Sequence, residues 1–193
     1  MMSNDLKPWQ VLSKRTLYSS PWINLDQWAV RLPDGSIIPD HHVLDYPRAA
    51  VGVIPIGADG RILMIDHYRF MTDTRGWEIP SGGIDQDETL LAAAARELLE
   101  ETGYTAEAWQ MMGKYHPSNG SSNQVFHTVM ARGLTRQSDP LDVNETLGLR
   151  WFTLDEVRGL IARNEILDGL SLTTLCWAFT AYPDLAGQTK DCQ

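Results

Sequence analysis

Three glutamates crowd into the stretch RELLEETGY, residues 96–104, where a single arginine accompanies them. On a helix that turns about 100° per residue, Glu97, Glu100 and Glu101 lie within an arc of roughly 100°. Like charges four residues apart destabilise an isolated helix by about 0.2–0.5 kcal/mol per pair, and acids near the C-terminal end oppose the helix dipole. Solvent, a basic partner or a divalent cation must therefore offset the repulsion.

Carboxylate oxygens are the ligands that Mg²⁺ and Mn²⁺ prefer, and Mg²⁺ usually shares its coordination shell with waters and substrate phosphates. The alternative is an ordinary charged helix end that faces solvent. Leu90 and Ala94 fall on the same arc as the glutamates, where a solvated face more often carries Lys or Gln. The pattern therefore favours a divalent metal site over a solvated face.

The glutamates belong to a longer pattern that begins at Gly82. Five residues separate Gly82 from Glu88, and seven more separate Glu88 from RELLEETGY. This spacing resembles the Nudix box of the Nudix hydrolases. The nearby segments DHYRF and GWEIPSGG resemble the QYR and WELPAGG segments of the ADP-ribose and nucleoside diphosphate sugar pyrophosphatase branch. This looser resemblance extends from about Trp9 to Tyr182.

The resemblance implies a metal site on the helix that carries the box. Glu97 and Glu101 are implied as the main ligands, with Glu100 as a third, and Arg96 is implied to orient Glu97. The backbone carbonyl of Ser81 is implied as a further ligand. Many relatives resemble PAG where this chain has PSG, a change that a backbone ligand tolerates. The implied cofactor is Mg²⁺ or Mn²⁺.

Residues beside the box are expected to meet the diphosphate of the substrate. Gly82 and Gly83 allow the backbone to approach the metal and the diphosphate closely. By the resemblance, Arg69 and Glu78 line the diphosphate site, where an arginine grips phosphate in a forked manner. A strand-end surface charge is the alternative for Arg69, and a loop salt bridge is the alternative for Glu78. Glu88 lies about 180° from Glu97 and is expected to cap the helix or hold the loop.

Hydrolysis of a diphosphate needs an activated water and a group that accepts its proton. In the branch that this chain resembles, the base is often a glutamate on a late loop. The segment DVNETLGLRWF matches in position and makes Glu145 the candidate base. Glu100 is the main competitor for this catalytic role, and an ordinary loop acid is the alternative for Glu145.

The segment HPSNGSSNQ is expected to contact the substrate, although it departs from the branch pattern. The branch has a proline 16 residues after the second box glycine, where this chain has Asn119, and Pro117 comes two residues early. Gln124 replaces the acid that often ends the segment. These changes weaken a strict ADP-ribose assignment. Ser118, Asn119 and Gly120 are still expected to form a turn that offers hydrogen bonds to the substrate.

An aromatic residue in the N-terminal strands is a further candidate for substrate binding. Branch members often place an aromatic side chain against the nucleobase, and Trp28 occupies such a strand. Stacking of a base on an aromatic ring contributes about 1–3 kcal/mol. A buried strand tryptophan is the alternative.

Composition restricts the location and partners of the protein. A net charge of −9 over 193 residues argues against general binding to nucleic acid or to an anionic membrane surface. No run approaches the ~20 apolar residues of a membrane span, and the N-terminus lacks the apolar core of a signal peptide. Two cysteines, Cys176 and Cys192, provide neither metal-ligand spacing nor a disulfide framework. We therefore expect a cytoplasmic protein with a small-molecule partner.

The N-terminal half is predicted to consist of strands followed by one strong helix. Residues 9–45 are predicted strands that turn at PDGS, and AAVGVIPI pairs with RILMIDHYRF across the turn GADG. The run AVGVIPI suggests a strand buried on both faces. The stretch MTDTRGWEIPSGGIDQDE is predicted to be an ordered loop. Residues 89–102 form the helix, with Asp85 and Glu88 as a capping box and Gly103 as its left-handed end.

The C-terminal half is predicted to add strands at QVFHTVMAR and GLRWFT and helices at LDEVRGLIARN and LSLTTLCWAFTAY. The resemblance implies the Nudix fold of the α/β (α+β) class, in which a mixed β-sheet is sandwiched between helices. We expect residues 1–46 to form an N-terminal antiparallel strand subdomain, 47–183 the Nudix hydrolase domain, and 184–193 a tail. The first piece is too small for its own core. The branch commonly packs or exchanges these strands across a homodimer.

The expected activity is metal-dependent hydrolysis of a nucleoside diphosphate sugar, with ADP-ribose as first choice, to a nucleoside monophosphate and a sugar phosphate. Within the same family, a dinucleoside polyphosphate, GDP-mannose or an oxidised nucleotide is the alternative substrate. Outside the enzymes, a non-catalytic sensor that binds ADP-ribose is the alternative. The intact set of Glu97, Glu100 and Glu101 argues against the sensor, because binding alone does not need a full metal face.

Overall fold

A computed structural model describes residues 8–141, 146–183 and Leu185. Contacts within the chain divide it into two compact units. The N-terminal unit is Met1–Arg48 with Ser118–Gln124, and the larger unit is Ala49–Pro117 with Val125–Gln193. A helix long and apolar enough to cross a membrane is not found among the described residues.

The N-terminal unit is an antiparallel three-stranded sheet. Its strands are β1 (Gln10–Ser19), β2 (Asn24–Arg31) and β3 (Ile37–Asp45), in the order β1-β2-β3. The turn between β2 and β3 lies at the predicted PDGS, where Gly35 has φ of 90°. A side chain would be strained there, which explains the glycine. Every residue of β1 is exposed.

The larger unit contains two main sheets and one short strand pair. Its strands are β4 (Ala50–Pro55), β5 (Ile62–Arg69), β6 (Thr74–Glu78), β7 (Ser81–Gly83), β8 (Tyr104–Thr105), β9 (Ala108–Tyr115), β10 (Phe126–Arg132), β11 (Thr135–Arg136) and β12 (Gly148–Phe152). The four-stranded sheet has the order β7-β4-β10-β9 and is mixed, because β4 and β10 run parallel. The three-stranded sheet β12-β5-β6 is antiparallel, and β8 pairs with β11.

Within the described residues, three helices pack against the sheets of this unit. They are α1 (Leu90–Thr102), α2 (Leu154–Ala162) and α3 (Gly169–Ala181). Val51 and Val53 of β4 pack in one apolar cluster with α1, whereas Ile54 packs in a second cluster with residues of α2, α3 and β5. Strand β4 is therefore buried on both faces, as its apolar run predicts. The predicted class, a mixed sheet between helices, is confirmed.

Two local expectations were wrong, and one strand was not predicted at all. The predicted loop MTDTRGWEIPSGGIDQDE contains β6 and β7, because each pairs along a neighbouring strand despite its glycines. Strand β9 carried no prediction, although it pairs antiparallel with β10. The N-cap of α1 is Thr89, whose side chain accepts the N–H of Ala92, rather than the Asp85 of the predicted capping box.

Candidate active site

Both ends of α1 are fixed, which sets the direction of the glutamates it carries. The Thr89 hydroxyl caps the first turn. At the other end, Gly103 adopts φ of 75° and donates its N–H to the carbonyl of Leu99. A Cβ at Gly103 would also overlap the backbone of Ser138. Only glycine fits this helix end, as the sequence predicts.

Glu97 lies in a tight pocket against β7. Glu97 is only 8% exposed, and Arg96 Nη1 donates to Glu97 Oε1 at 2.7 Å. A Cβ built at Gly82 would overlap the Glu97 carboxylate. The carboxylate therefore occupies the space that any side chain at residue 82 would need.

Glu101 faces the same strand one helical turn later. It is 4% exposed, and its Oε2 accepts the Ser81 N–H at 2.8 Å. The hydroxyl of Thr146 donates to the backbone carbonyl of Glu101 at 2.9 Å. The helix thus places two buried carboxylates, those of Glu97 and Glu101, against Ser81 and Gly82.

Glu100 occupies a more open position than its neighbours on the arc. Its side chain is 42% exposed, compared with 11% for the side chain of Glu97. Arg96 Nη1 donates to Glu100 Oε2 at 3.1 Å. The Glu100 side chain is therefore both tethered to the arginine and open to water.

Arg96 is the centre of a network that the sequence reasoning identified only in part. In addition to Glu97 and Glu100, its guanidinium contacts both carboxylate oxygens of Glu88 at 3.0 Å and the Gly83 carbonyl at 2.9 Å. Hydrogen bonds to Glu88 are the largest effect that raises the pKa of Arg96 far above its ordinary value, and they lower the pKa of Glu88. Glu88 also accepts the Asp85 N–H at 3.3 Å and so holds the loop.

Arg69 and Glu78 form a forked ion pair between β5 and β6. Arg69 Nε and Nη2 donate to the two oxygens of Glu78 at 3.1 and 2.6 Å. Partial burial of the Arg69 guanidinium disfavours its charge. Hydrogen bonding to Glu78 and attraction to Glu78, Asp168 and Glu101 nevertheless raise its pKa above the ordinary value. The field of Glu101 therefore reaches the guanidinium that was predicted to grip the diphosphate.

The predicted site residues fall into three groups. The residues of β7 and α1 form one cluster, to which belong Ser81, Gly82, Gly83, Arg96, Glu97, Glu100 and Glu101. Arg69 and Glu78 form a pair in the same unit, whereas Trp28, Ser118 and Asn119 belong to the N-terminal unit. Glu145 lies outside the described residues.

The predicted residues of the N-terminal unit have contacts of their own. Trp28 is half-buried, its Nε1 donates to Asp26 Oδ2 at 3.1 Å, and Lys14 Nζ lies 3.9 Å from the ring centre. The Ser118 carbonyl accepts the N–H groups of Ser121 and Ser122 at 3.1 and 2.9 Å. Residues 117–121 therefore form the predicted turn.

The donor set at the β7 and α1 cluster fits a hard divalent cation. Within the described ranges, no three His, Cys, Asp or Glu side chains are arranged to hold a metal ion. Arg96 hydrogen-bonds to Glu97 and Glu100, and the Ser81 N–H holds Glu101. The cluster nevertheless combines two buried carboxylates, open space at the neighbouring Gly83, and more negative than positive charge, which suits oxygen-seeking cations.

A cavity of about 350 Å³ lies away from these residues. It is lined by Gly57, Ala58, Asp59, Arg61, Tyr104, Gly133, Leu134 and Trp151. Two of these residues belong to the patterns that predicted chemistry: Tyr104, the last position of the box, and Trp151 of the segment DVNETLGLRWF. Neither is a predicted site residue. The candidate site therefore rests on the charged cluster and not on this cavity.

Two family models match the chain. The model described as "NUDIX domain" matches residues 46–170, and the model described as "Nucleoside diphosphate sugar hydrolase N-terminal domain" matches residues 9–44. The first covers more than half of the chain, and the second covers the strands of the N-terminal unit.

Curated relatives and a solved structure resemble the chain over most of its length. A CMP-5'-(N-acetyl-N-hydroxy-3-aminopropyl)phosphonate hydrolase of Streptomyces rubellomurinus is 33% identical over 79% of this chain and 73% of the relative. An ADP-ribose pyrophosphatase of Bacillus subtilis is 28% identical over 82% of this chain and 86% of the relative. A crystal structure of an ADP compounds hydrolase superposes with a TM-score of 0.82 over 93% of this chain and 96% of that chain, at 22% identity. This last likeness concerns the fold.

Proposed function

The chain belongs to the NUDIX domain family, and we propose that it hydrolyses the diphosphate bond of a nucleoside diphosphate sugar, with ADP-ribose as the first choice. The products are a nucleoside monophosphate and a sugar phosphate. The chain is thus a pyrophosphohydrolase of the ADP-ribose pyrophosphatase type. The match of residues 9–44 to a nucleoside diphosphate sugar hydrolase N-terminal domain supports this substrate class.

One observation carries the proposal. Glu97 and Glu101, both buried, stand one helical turn apart against Ser81 and Gly82, and a Cβ at residue 82 would overlap the Glu97 carboxylate. Two buried carboxylates side by side repel each other unless a positive charge compensates them. Arg96 shares its one positive charge among Glu88, Glu97 and Glu100. Arg69 likewise shares its charge among Glu78, Asp168 and Glu101, so the carboxylates outnumber these two cations.

We propose Glu97 and Glu101 as the main ligands of Mg²⁺ or Mn²⁺, with Glu100 and the Ser81 carbonyl completing the protein ligands. When bound, such a cation lowers the pKa of a coordinated water and neutralises phosphate charge. Arg96 orients Glu97 through its 2.7 Å hydrogen bond. Because Glu88 holds Arg96 in turn, the loop that carries Glu88 is fixed relative to the helix that carries Glu97.

Arg69 binds the diphosphate in this proposal, and Glu78 orients the arginine. Gly83 leaves space for the substrate, because a Cβ there would meet no protein atom within 4 Å. A water oxygen attacks one phosphorus, the bond from that phosphorus to the bridging oxygen breaks, and the second phosphate leaves with that oxygen. Glu145 accepts the proton of the water, with Glu100 as the competing base.

The remaining substrate contacts are proposed from the N-terminal unit. Trp28 stacks on the base and Ser118 and Asn119 offer hydrogen bonds to the substrate. Lys14 lies over the Trp28 ring, so the base would approach the other face of that ring. We also propose a homodimer. The exposure of β1 along its whole length, with Val11, Leu12, Leu17 and Tyr18 among its exposed side chains, supports an apolar contact between subunits.

A CMP-linked phosphonate is the second candidate substrate. The 33% identical relative is a hydrolase of such a compound. The departures at Asn119 and Gln124 fall in the segment expected to choose the substrate. Both candidates would use the same carboxylate cluster. They differ in the base, adenine or cytosine, and in the group beyond the bond that is cut, a sugar phosphate or a phosphonate.

A substrate panel with Mg²⁺ tests the proposal. ADP-ribose, ADP-glucose, GDP-mannose, UDP-glucose, NADH and a CMP-linked phosphonate are each incubated with the protein, and the released nucleoside monophosphate is quantified. The proposal expects the highest kcat/KM on a nucleoside diphosphate sugar, led by ADP-ribose. Preference for the CMP compound would select the second candidate, and no turnover on any compound would overturn the enzymatic function.

A further inference from the structure

The linker between β6 and β7 joins the Arg69–Glu78 pair to the carboxylate cluster. It is residues 79–80, and three hydrogen bonds hold it and the adjoining Ser81. Ser81 N–H donates to Glu101, and the Pro80 carbonyl accepts the Val53 N–H at 2.9 Å. The third bond comes from Ile79, whose N–H donates to Ser171 Oγ at 3.1 Å. Helix α3 therefore contacts the linker directly after Glu78.

Ser171 is placed so that its hydroxyl serves two partners at once. The residue is fully buried. Its Oγ accepts the Ile79 N–H and donates to Asp168 Oδ2 at 2.7 Å. Asp168, the N-cap of α3, also accepts the Ser171 N–H at 2.7 Å. Because the hydroxyl proton is directed to Asp168, a lone pair of Oγ is left for Ile79.

The same carboxylate acts on the arginine of the site. Partial burial of Arg69 lowers its pKa, and the hydrogen bonds and attraction to Glu78, followed by the attraction to Asp168, raise it. Glu78 itself is 4% exposed, so its carboxylate has little freedom to compensate if the backbone of residues 78–79 moves. Residues at the start of α3 thus influence both Arg69 and Glu78.

We propose that Ser171, held by Asp168, is a positioning residue that sets the Arg69–Glu78 pair to receive the diphosphate of the substrate. The proposal rests on the function proposed above. Removing the hydroxyl leaves the buried Ile79 N–H without its acceptor, and the linker relaxes toward another partner. Glu78 moves with the linker, and the fork that it forms with Arg69 loses its alignment.

The steady-state test uses Ser171→Ala with Thr180→Ala as its matched control. Thr180 lies in the last turn of the same helix, is exposed, and its hydroxyl donates to the Cys176 carbonyl at 2.8 Å. We expect Ser171→Ala to raise KM for ADP-ribose about tenfold with kcat changed less than about threefold, because the arginine holds the diphosphate in both ground and transition states. Thr180→Ala should leave both constants at the wild-type values.

A double-mutant cycle separates positioning from general destabilisation. In the Glu78→Gln background, the fork is already weakened, so Ser171→Ala should raise KM by less than about twofold more. A purely structural role would lower the melting temperature in both backgrounds without this coupling. Full additivity of the two substitutions on KM would overturn the proposal.

A second readout does not depend on turnover. The ¹⁵N-detected Nε–H signal of Arg69, assigned through Arg69→Lys, reports the bond to Glu78. Ser171→Ala should shift this signal and speed its exchange with water, and Thr180→Ala should not. An unchanged signal in folded Ser171→Ala would overturn the proposal, whether or not the protein turns over any substrate. Absence of turnover on every substrate would count only against the proposed function. If Ser171→Ala does not fold, Ser171→Cys replaces the hydroxyl with a somewhat larger thiol that is a weak acceptor, and it should shift the signal in the same direction.

Discussion

The Glu97 carboxylate lies against the Cα of Gly82, in the space that a Cβ at residue 82 would fill. The first glycine of the box is therefore required by a side chain fifteen residues later, on another element. Gly82 does not need an unusual backbone conformation, because its φ is not positive. Its role is to leave room for a buried carboxylate that Arg96 holds in one orientation.

Gly82→Ala should displace Glu97 and lower kcat/KM by about 10²-fold or more, as expected when a reacting geometry shifts by about an ångström. Gly169→Ala is the matched comparison, because Gly169 is exposed, has no assigned role in the site, and its added methyl group would meet no protein atom within 4 Å. Its loss should be at least tenfold smaller. Steady-state kinetics with circular dichroism as a check of folding provides the measurement, and equal losses in both variants would contradict the role given to Gly82.

Glu101→Gln tests the buried carboxylate on the next turn. The amide oxygen of glutamine can still accept the Ser81 N–H, which Glu101 accepts at 2.8 Å, so the fold should remain intact. Turnover should fall about 10³-fold, since several kcal/mol of charge stabilisation in the transition state is lost with the ligand. Mg²⁺ titration of the activity provides the measurement. Near-normal turnover at saturating Mg²⁺ would refute the role of Glu101 as a metal ligand.

Glu88→Gln tests the contact between Glu88 and Arg96 through the pH dependence of stability. Hydrogen bonds from Arg96 hold the pKa of Glu88 below its ordinary value of 4.5. A carboxylate with a lowered pKa in the folded state adds stability above the ordinary pKa and loses it as the pH falls through the lowered value. The variant should therefore have a lower melting temperature than the wild type at pH 7. This difference in melting temperature should disappear below about pH 4.5.

Thermal melts from pH 3 to pH 8 measure this gap. Asp87→Asn, at an exposed position of the same loop, is the matched control and should melt within about a degree of the wild type throughout. A gap for Glu88→Gln that stays constant down to pH 3 would show that charge pairing with Arg96 is not its cause.

The two candidate bases are separated by matched amide substitutions. Glu145→Gln should lower kcat by about 10²–10⁴-fold with little change in KM if this residue accepts the proton of the water. Glu100→Gln should then cost less, because its side chain is 42% exposed and shares Arg96 with two other carboxylates. Pre-steady-state measurement of the chemical step with ADP-ribose compares the two. An unchanged rate in Glu145→Gln would return the role to Glu100.

Local sequence signals predicted much of the fold because the decisive residues act locally. The arc of Glu97 and Glu101, the left-handed Gly103 and the both-face burial of β4 follow from helical spacing, a missing Cβ and an unbroken apolar run. Each of these depends on neighbours within a few positions along the chain. The structure places each of them where the pattern predicted.

Features that depend on partners distant along the chain could not be predicted from the sequence. Strands β6 and β7 form on glycine-containing segments because β5 and β4 offer them open edges, which no local propensity reveals. The pairing of Arg96 with Glu88 crosses the start of α1, although the box spacing did bring both residues into one motif. The bond from Ile79 to Ser171 spans ninety-two positions and has no signal in the sequence.

Cleavage of ADP-ribose under control of the divalent cation tests the central claim most directly. The protein is incubated with ADP-ribose and Mg²⁺, and AMP and ribose 5-phosphate are quantified by anion-exchange chromatography. The account predicts the two products in equal amounts, complete loss of both when EDTA is added, and recovery with excess Mg²⁺. Product formation that continues in EDTA, or products other than a nucleoside monophosphate and a sugar phosphate, would contradict it.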